Sequence, residues 1–109
     1  MFNQGYIAAT KKTKTVEGSG ILSISPPLGV WTVINLGAGT ENKTVQINCV
    51  SNFGTRTCGV RPEGSTGGIL IPVSFNNSTP FLVQANENGQ IEVWRNNNGV
   101  SFYHISTLD

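Results

Sequence analysis

The stretch FLVQANENGQIEVWRNNNGVSFYHI, residues 81–105, holds three alternating apolar runs separated by two Asn/Gly clusters. A period of two sends successive side chains to opposite faces of a strand, so each run reads as a half-buried strand. The Asn and Gly residues between the runs supply the left-handed backbone conformations that tight turns need. A two-residue Asn88-Gly89 turn would set Val83 opposite Trp94 and Ala85 opposite Glu92, mixing apolar and polar rows. A three-residue loop, Glu87-Asn88-Gly89 with Gly89 left-handed, instead pairs Ala85 with Ile91 and Val83 with Val93. The expectation is a three-stranded meander whose core row is Phe81, Val83, Ala85, Ile91 and Val93. A second turn at residues 96–99 adds Val100 and Phe102, and His104 ends the row.

This register places Leu82, Trp94, Tyr103 and Ile105 on the opposite face, with Gln84, Gln90 and Glu92 around them. Leu82 then faces Trp94, with Tyr103 on the diagonal. Apolar and aromatic side chains inside an amide-rich rim mark a surface for self-association or ligand binding. The competing reading makes the same face the second wall of a sandwich core. The candidate face is therefore Leu82, Gln84, Glu92, Trp94, Tyr103 and Ile105.

Upstream of this stretch, ILSIS at 21–25 alternates and stops at Pro26-Pro27, while VWTVINL at 30–36 is apolar on both sides, as in a central strand or one at an interface. Gly37-Ala38-Gly39 has the spacing of a phosphate loop. It is followed by TVQINCV at 44–50, which has strand period rather than a helix N-terminus aimed at a phosphate, so it reads as a turn. Val45, Ile47 and Cys49 form the inward row of that strand, and residues 57–61 return through a Phe53-Gly54 turn. Ile69, Ile71, Val73 and Phe75 alternate with Leu70, Pro72 and Ser74, and Pro72 confines the strand to an edge or a bulge. No stretch has helical period with capping signals. The fold class expected is all-β: one antiparallel β-sandwich or jelly roll of about eight short strands without a long helix. Residues 1–20 read as an arm or first edge strand, and 21–109 as the sandwich domain.

The chain has 109 residues, enough for one core, yet only 12% of them are charged and the net charge is +1, so amides and hydroxyls supply most of the polar surface. The one basic run, Lys11, Lys12 and Lys14, has no interleaved aromatic residue, which fits a solvated arm better than a nucleic-acid site. No run is long and apolar enough to span a membrane, and the N-terminus lacks a signal-peptide pattern, so a soluble, non-secreted chain is expected.

Cys49 and Cys58 are the only thiols. Across a Phe53-Gly54 hairpin they fall opposite each other, which makes a disulfide feasible. Nothing in the sequence indicates an oxidising compartment, so two reduced, half-buried cysteines are favoured. Neither metal, flavin nor nucleotide signatures are present, and no cofactor is expected. The acidic residues are scattered singly, and no nucleophile-elbow pattern accompanies His104, the sole histidine. A minimal hydrolase would depend on that residue, whereas a histidine at the rim of an apolar row is ordinarily structural.

Residues 58–103 resemble small β-modules of tailed-bacteriophage virion proteins, among them capsid decoration proteins and the tips of tail or head fibres. The likeness is carried by VRPEGS at 60–65, the strand at 69–75, residues 83–94 with Asn88-Gly89 and IEVW at 91–94, and the strand at 100–103. These cover under half of the chain. The resemblance implies a non-enzymatic protein located in the virion and assembled in the host cytoplasm. Its partners would be itself, as a homodimer or homotrimer, and coat or tail proteins. A decoration protein would use the Trp94 face for self-association and Lys11, Lys12 and Lys14 as an arm on the coat lattice. The alternative is a fibre-tip module binding a host receptor or glycan, with Trp94, Tyr103, Gln84 and Glu92 as the sugar-binding set. Neither nucleic acid nor membrane is expected as a partner.

Overall fold

The computed structural model describes residues 13–15, for which only the backbone is considered, together with 22 and 26–108. Its eight strands are β1 (Thr13–Thr15), β2 (Thr32–Asn35), β3 (Thr44–Ser51), β4 (Arg56–Pro62), β5 (Ile71–Val73), β6 (Ser78–Gln84), β7 (Gln90–Arg95) and β8 (Val100–Leu108). No helix occurs among the described residues, and so none long and apolar enough to cross a membrane. The strands form two four-stranded sheets, ordered β1-β8-β3-β6 and β2-β7-β4-β5, and every strand pair is antiparallel. Only the connection from β4 to β5 stays within one sheet; every other one crosses the sandwich. That order is a jelly roll, one of the two architectures expected from the sequence.

One core lies between the sheets. β3, β6 and β8 contribute Val45, Ile47, Cys49, Val83, Val100 and Phe102, and the facing sheet contributes Ile34, Cys58, Val60, Val73, Ile91 and Val93. Each such side chain stabilises the fold by roughly 1.5–3 kcal/mol when fully buried. The inward row read from residues 81–105 is therefore the observed one: Val83, Ala85, Ile91, Val93, Val100 and Phe102 are buried, and Phe81 packs against them.

The meander is not observed. β6 pairs with β3, setting Val83 beside Val45, whereas β7 pairs with β2 and β4, setting Val93 between Thr32 and Val60. Ala85 and Val83 thus belong to one wall of the core and Ile91 and Val93 to the other. Alternation fixes which side of a strand is inward, and that side is the same whether the next strand lies alongside or across the core. The turn itself matches expectation. Gly89 has φ 71°, its N–H donates to the Asn86 carbonyl at 3.0 Å, and the Asn86 side-chain oxygen accepts from the N–H groups of Asn88 and Gln90. A Cβ on Gly89 would lie 2.5 Å from Thr40 Oγ1, so this turn is seated directly on the turn between β2 and β3.

Other local expectations are corrected by the same crossing pattern. β3 and β4 flank Phe53-Gly54 but lie in opposite sheets, so no hairpin forms there. β2 is an edge strand rather than a central one, and Val30 is exposed. β5 takes the edge position that Pro72 demands but is only three residues long, leaving Ile69 and Phe75 exposed. In β8, His104 pairs with Ile47 and Ser106 with Gln46, so Ile105 is the extra residue of a bulge.

The inward row of β7 ends in a cation. Arg95 is buried; its Nε and Nη2 donate to the Pro26 carbonyl at 2.9 and 2.7 Å, and its Nη1 donates to the Val100 carbonyl at 3.3 Å. The Gly29 N–H in turn donates to the Arg95 carbonyl at 2.8 Å, so the connection leading into β2 is fastened to β7.

Candidate interaction face

The outward face of the β2-β7-β4-β5 sheet is built around Trp31, Arg61 and Glu92. β4 pairs with β7 so that Arg61 lies opposite Glu92 and Gly59 opposite Trp94, and β2 adds Val33 on the other side of Glu92. Arg61 Nε is 2.6 Å from Glu92 Oε1, and the guanidinium lies 4.1 Å from the centroid of the Trp31 ring, within cation–π range. Arg61 Nη1 also donates to the Gly67 carbonyl at 2.6 Å, and the Gly64 N–H donates to Glu92 Oε2 at 3.1 Å. Together these bonds tie the segment at 63–70 down onto β4 and β7. Burial raises the Glu92 pKa, but the Gly64 N–H and the Arg61 guanidinium outweigh it, and the carboxyl is held below its ordinary value.

Two glycines make room for the ring. A Cβ on Gly59 would lie 2.8 Å from Trp31 Cη2, 2.8 Å from the Ile69 carbonyl and 2.9 Å from Leu70 Cδ2. A Cβ on Gly68, whose φ is +133°, would lie 2.8 Å from Trp31 Cζ2. The indole thus occupies the space that side chains at both glycine positions would need. Around it Val33 is 46%, Ile69 71% and Leu70 45% exposed. An apolar surface faces outward here, and the Arg61 and Glu92 charges within it are paired with each other.

The six residues expected on one face divide between two. Glu92 and Trp94 lie on this sheet, whereas Leu82, Gln84 and Tyr103 lie outward on the other sheet, Leu82 opposite Gln46 and Tyr103 opposite Asn48. Ile105 sits in the bulge of β8. Leu82 and Trp94 therefore do not meet. The sugar-binding set of Trp94, Tyr103, Gln84 and Glu92 is split in the same way, and Glu92 is already engaged by Arg61. The division follows from the crossing of β6, β7 and β8 between sheets. Lys11 and Lys12 lie outside the described residues; Lys14 is in β1, its backbone paired with Thr107.

His104 is 4% exposed, with Nε2 3.2 Å from Thr107 Oγ1. Burial holds its pKa below the ordinary value, and a hydrogen bond to the Ser106 backbone only partly offsets this. The ring is enclosed by the strands around it. An open cleft at the end of the sandwich is lined by Asn42, Glu63, Gln84, Asn86 and Glu87 and has no aromatic side chain. No grouping of His, Cys, Asp or Glu that could hold a metal ion occurs among the described residues.

No family model, curated protein or solved structure matches the chain.

Sequence reasoning did not select Trp31, Arg61 or Ile69 for the face. The available signal was a tryptophan two residues before Val33, combined with bare backbone at Gly59 and at Gly67-Gly68 over which a ring can lie.

Proposed function

We propose that the chain is a non-enzymatic virion surface protein, a capsid decoration protein that self-associates through the Trp31 face and seats on a coat lattice. The observation that carries this reading is the exposure of Val33, Ile69 and Leu70 around Trp31, whose ring fills the space left by Gly59 and Gly68. Exposed apolar groups held in place by neighbouring structure bind with little loss of side-chain freedom, which favours a standing interface. The pairing of Arg61 with Glu92 inside the face removes the like-charge repulsion that two copies would otherwise meet. The jelly roll is an architecture used by viral coat domains, and the likeness to phage modules at residues 58–103 points the same way. Fold alone does not decide function, so the weight rests on the face.

A second reading, a fibre tip that binds a host receptor, is favoured by a different feature. Phe53, on the connection between β3 and β4, and Phe75, on that between β5 and β6, are 69% and 52% exposed. The two connections leave the same end of the sandwich, because Ser51 and Phe75 form a bridge.

The readings separate in one experiment. The protein is incubated with tailed-phage heads stripped of accessory proteins, and co-sedimentation is measured for wild type, Ile69→Glu and Phe53→Ser. The decoration reading expects wild type and Phe53→Ser to sediment with heads and Ile69→Glu to remain in solution. Binding that ignores Ile69→Glu, or no binding at all, contradicts it.

A further inference from the structure

We infer that the end of the sandwich carrying Phe53 and Phe75 binds a carboxylated sugar, with Arg56 holding the carboxylate and Phe53 the apolar face of the ring. The inference rests on the receptor-binding reading of that end and names its ligand. Ser51 closes the connection from β3 to β4: its buried hydroxyl donates to the Gly54 carbonyl at 2.7 Å and accepts from the Phe53 N–H at 3.3 Å. The guanidinium of Arg56 lies 5.1 Å from the centroid of the Phe53 ring, within cation–π range, and its Nη1 donates to the Thr55 carbonyl at 3.1 Å. Even so, Phe53 remains largely open to solvent. The bridge between Ser51 and Phe75 brings the second exposed phenylalanine to the same end, and Asn52 and Asn77 are exposed on the same two connections.

Arg56 has donors that the chain does not use. No carboxylate pairs with it among the described residues, whereas Arg61 is neutralised by Glu92. Nη2 makes no hydrogen bond among these residues, and Nε is the one buried side-chain polar atom there without a partner. Buried polar groups are ordinarily satisfied, so an orphaned donor on a guanidinium points to an acceptor from outside the chain. Nε and Nη2 form one edge of the guanidinium. A carboxylate that bonds the unenclosed Nη2 brings its second oxygen to Nε once the side chain turns outward, and such charge-assisted pairs are the strong ones. The exposed rings call for an apolar C–H face, and the exposed amides call for hydroxyls. A uronic or sialic acid presents all of these on one molecule. A neutral sugar would leave Arg56 unpaired, and a simple organic anion would leave the rings uncovered.

The test is an NMR titration of the isotope-labelled full chain with trigalacturonate, its fully methyl-esterified neutral form, sialyllactose and lactose. At least one acidic sugar should bind on the order of tenfold more tightly than its neutral counterpart, and the gap should narrow as salt is raised. The amide signals of Gly54, Thr55 and Arg56 should move. Arg56→Gln should abolish the preference for the acidic form, Phe53→Ser should weaken binding of both forms, and Ile69→Glu, on the outward face of the β2-β7-β4-β5 sheet, should bind as wild type does. Thermal melts establish that each variant is folded, and Phe53→Ser, altered at an exposed side chain, decides the matter should Arg56→Gln fail to fold. Equal binding of acidic and neutral forms, or signal changes confined to residues away from this end, would overturn the inference and leave the receptor reading standing. Retention on intact bacterial cells separates the remaining outcomes. If none of these sugars binds while cells retain wild type and not Phe53→Ser, the inference alone falls. If cells retain neither, or both alike, the receptor reading falls with it.

Discussion

The guanidinium of Arg61 lies 4.1 Å over the Trp31 ring while its Nε holds Glu92 at 2.6 Å. One side chain thereby joins the connection before β2, strand β4 and strand β7, and through Gly67 it also fastens the segment that presents Ile69 and Leu70. Ile69 and Leu70 are held over the sheet through that junction, and Val33 by the pairing of β2 with β7.

Removing the guanidinium should loosen the junction. Arg61→Ala leaves Glu92 without its charged partner on a largely buried site, and a hydrogen bond to a charged group is worth about 2 kcal/mol. Urea unfolding should show a loss of that size. Arg61→Lys should recover little of it, since an ammonium cannot reproduce the flat stacking on Trp31 together with the bonds to Glu92 and Gly67.

Gly59→Ala tests the close approach of Trp31. The added methyl would sit 2.8 Å from the Ile69 carbonyl, a backbone atom that cannot simply rotate away. A destabilisation of roughly 1–3 kcal/mol is expected, with a change in tryptophan fluorescence as the indole is displaced. Thermal unfolding followed by fluorescence reads both.

Arg95→Met removes the donors to Pro26 and Val100 and leaves their carbonyls without these bonds in a buried setting. An unsatisfied buried group costs about 1–3 kcal/mol. The connection into β2 should also become more open to limited proteolysis, with new cuts near Leu28 mapped by mass spectrometry.

Stability should fall on acidification in two steps of the same sign. His104 has a folded pKa below its unfolded value, so the unfolded chain takes up the proton first. The stability of the neutral buried ring is present above about pH 6.5 and is lost as pH falls from there through the folded pKa. Glu92 is also depressed; its contribution is present above about pH 4.3 and is lost as pH falls further through its folded pKa. Urea midpoints measured from pH 8 to pH 3 should decline in both windows. His104→Gln should flatten the upper one and leave the lower.

Much of this architecture can be read in the sequence, and the part that cannot has a definite cause. Period-two alternation identified Val45, Ile47, Cys49, Val83, Ile91, Val93 and Phe102 as inward, because a side chain's face depends only on its own strand. Pro72 and Gly89 were legible for the same local reason: each demands a backbone environment that few positions offer. Whether β7 lies beside β6 or across the core from it depends on pairing partners far away in sequence, such as Ile91 with Ile34 and Pro62. Nothing local to residues 81–105 distinguishes the two arrangements. The candidate face inherited that ambiguity, which is why Leu82 and Trp94 were joined although they lie on opposite sides of the molecule. The junction of Trp31, Arg61 and Glu92 spans three elements and rests on close approaches at Gly59 and Gly68. It becomes visible only once the strand order is known.

The central claim is that the Trp31 face binds a second copy of the chain, and light scattering coupled to size exclusion, across a range of protein concentrations, tests it most directly. Wild type and Leu82→Glu, the latter altered on the opposite sheet, should run as the same dimer or trimer, and Val33→Glu and Ile69→Glu should run as folded monomers. A wild-type monomer at every concentration, or an oligomer that survives Ile69→Glu and is broken by Leu82→Glu, would contradict it.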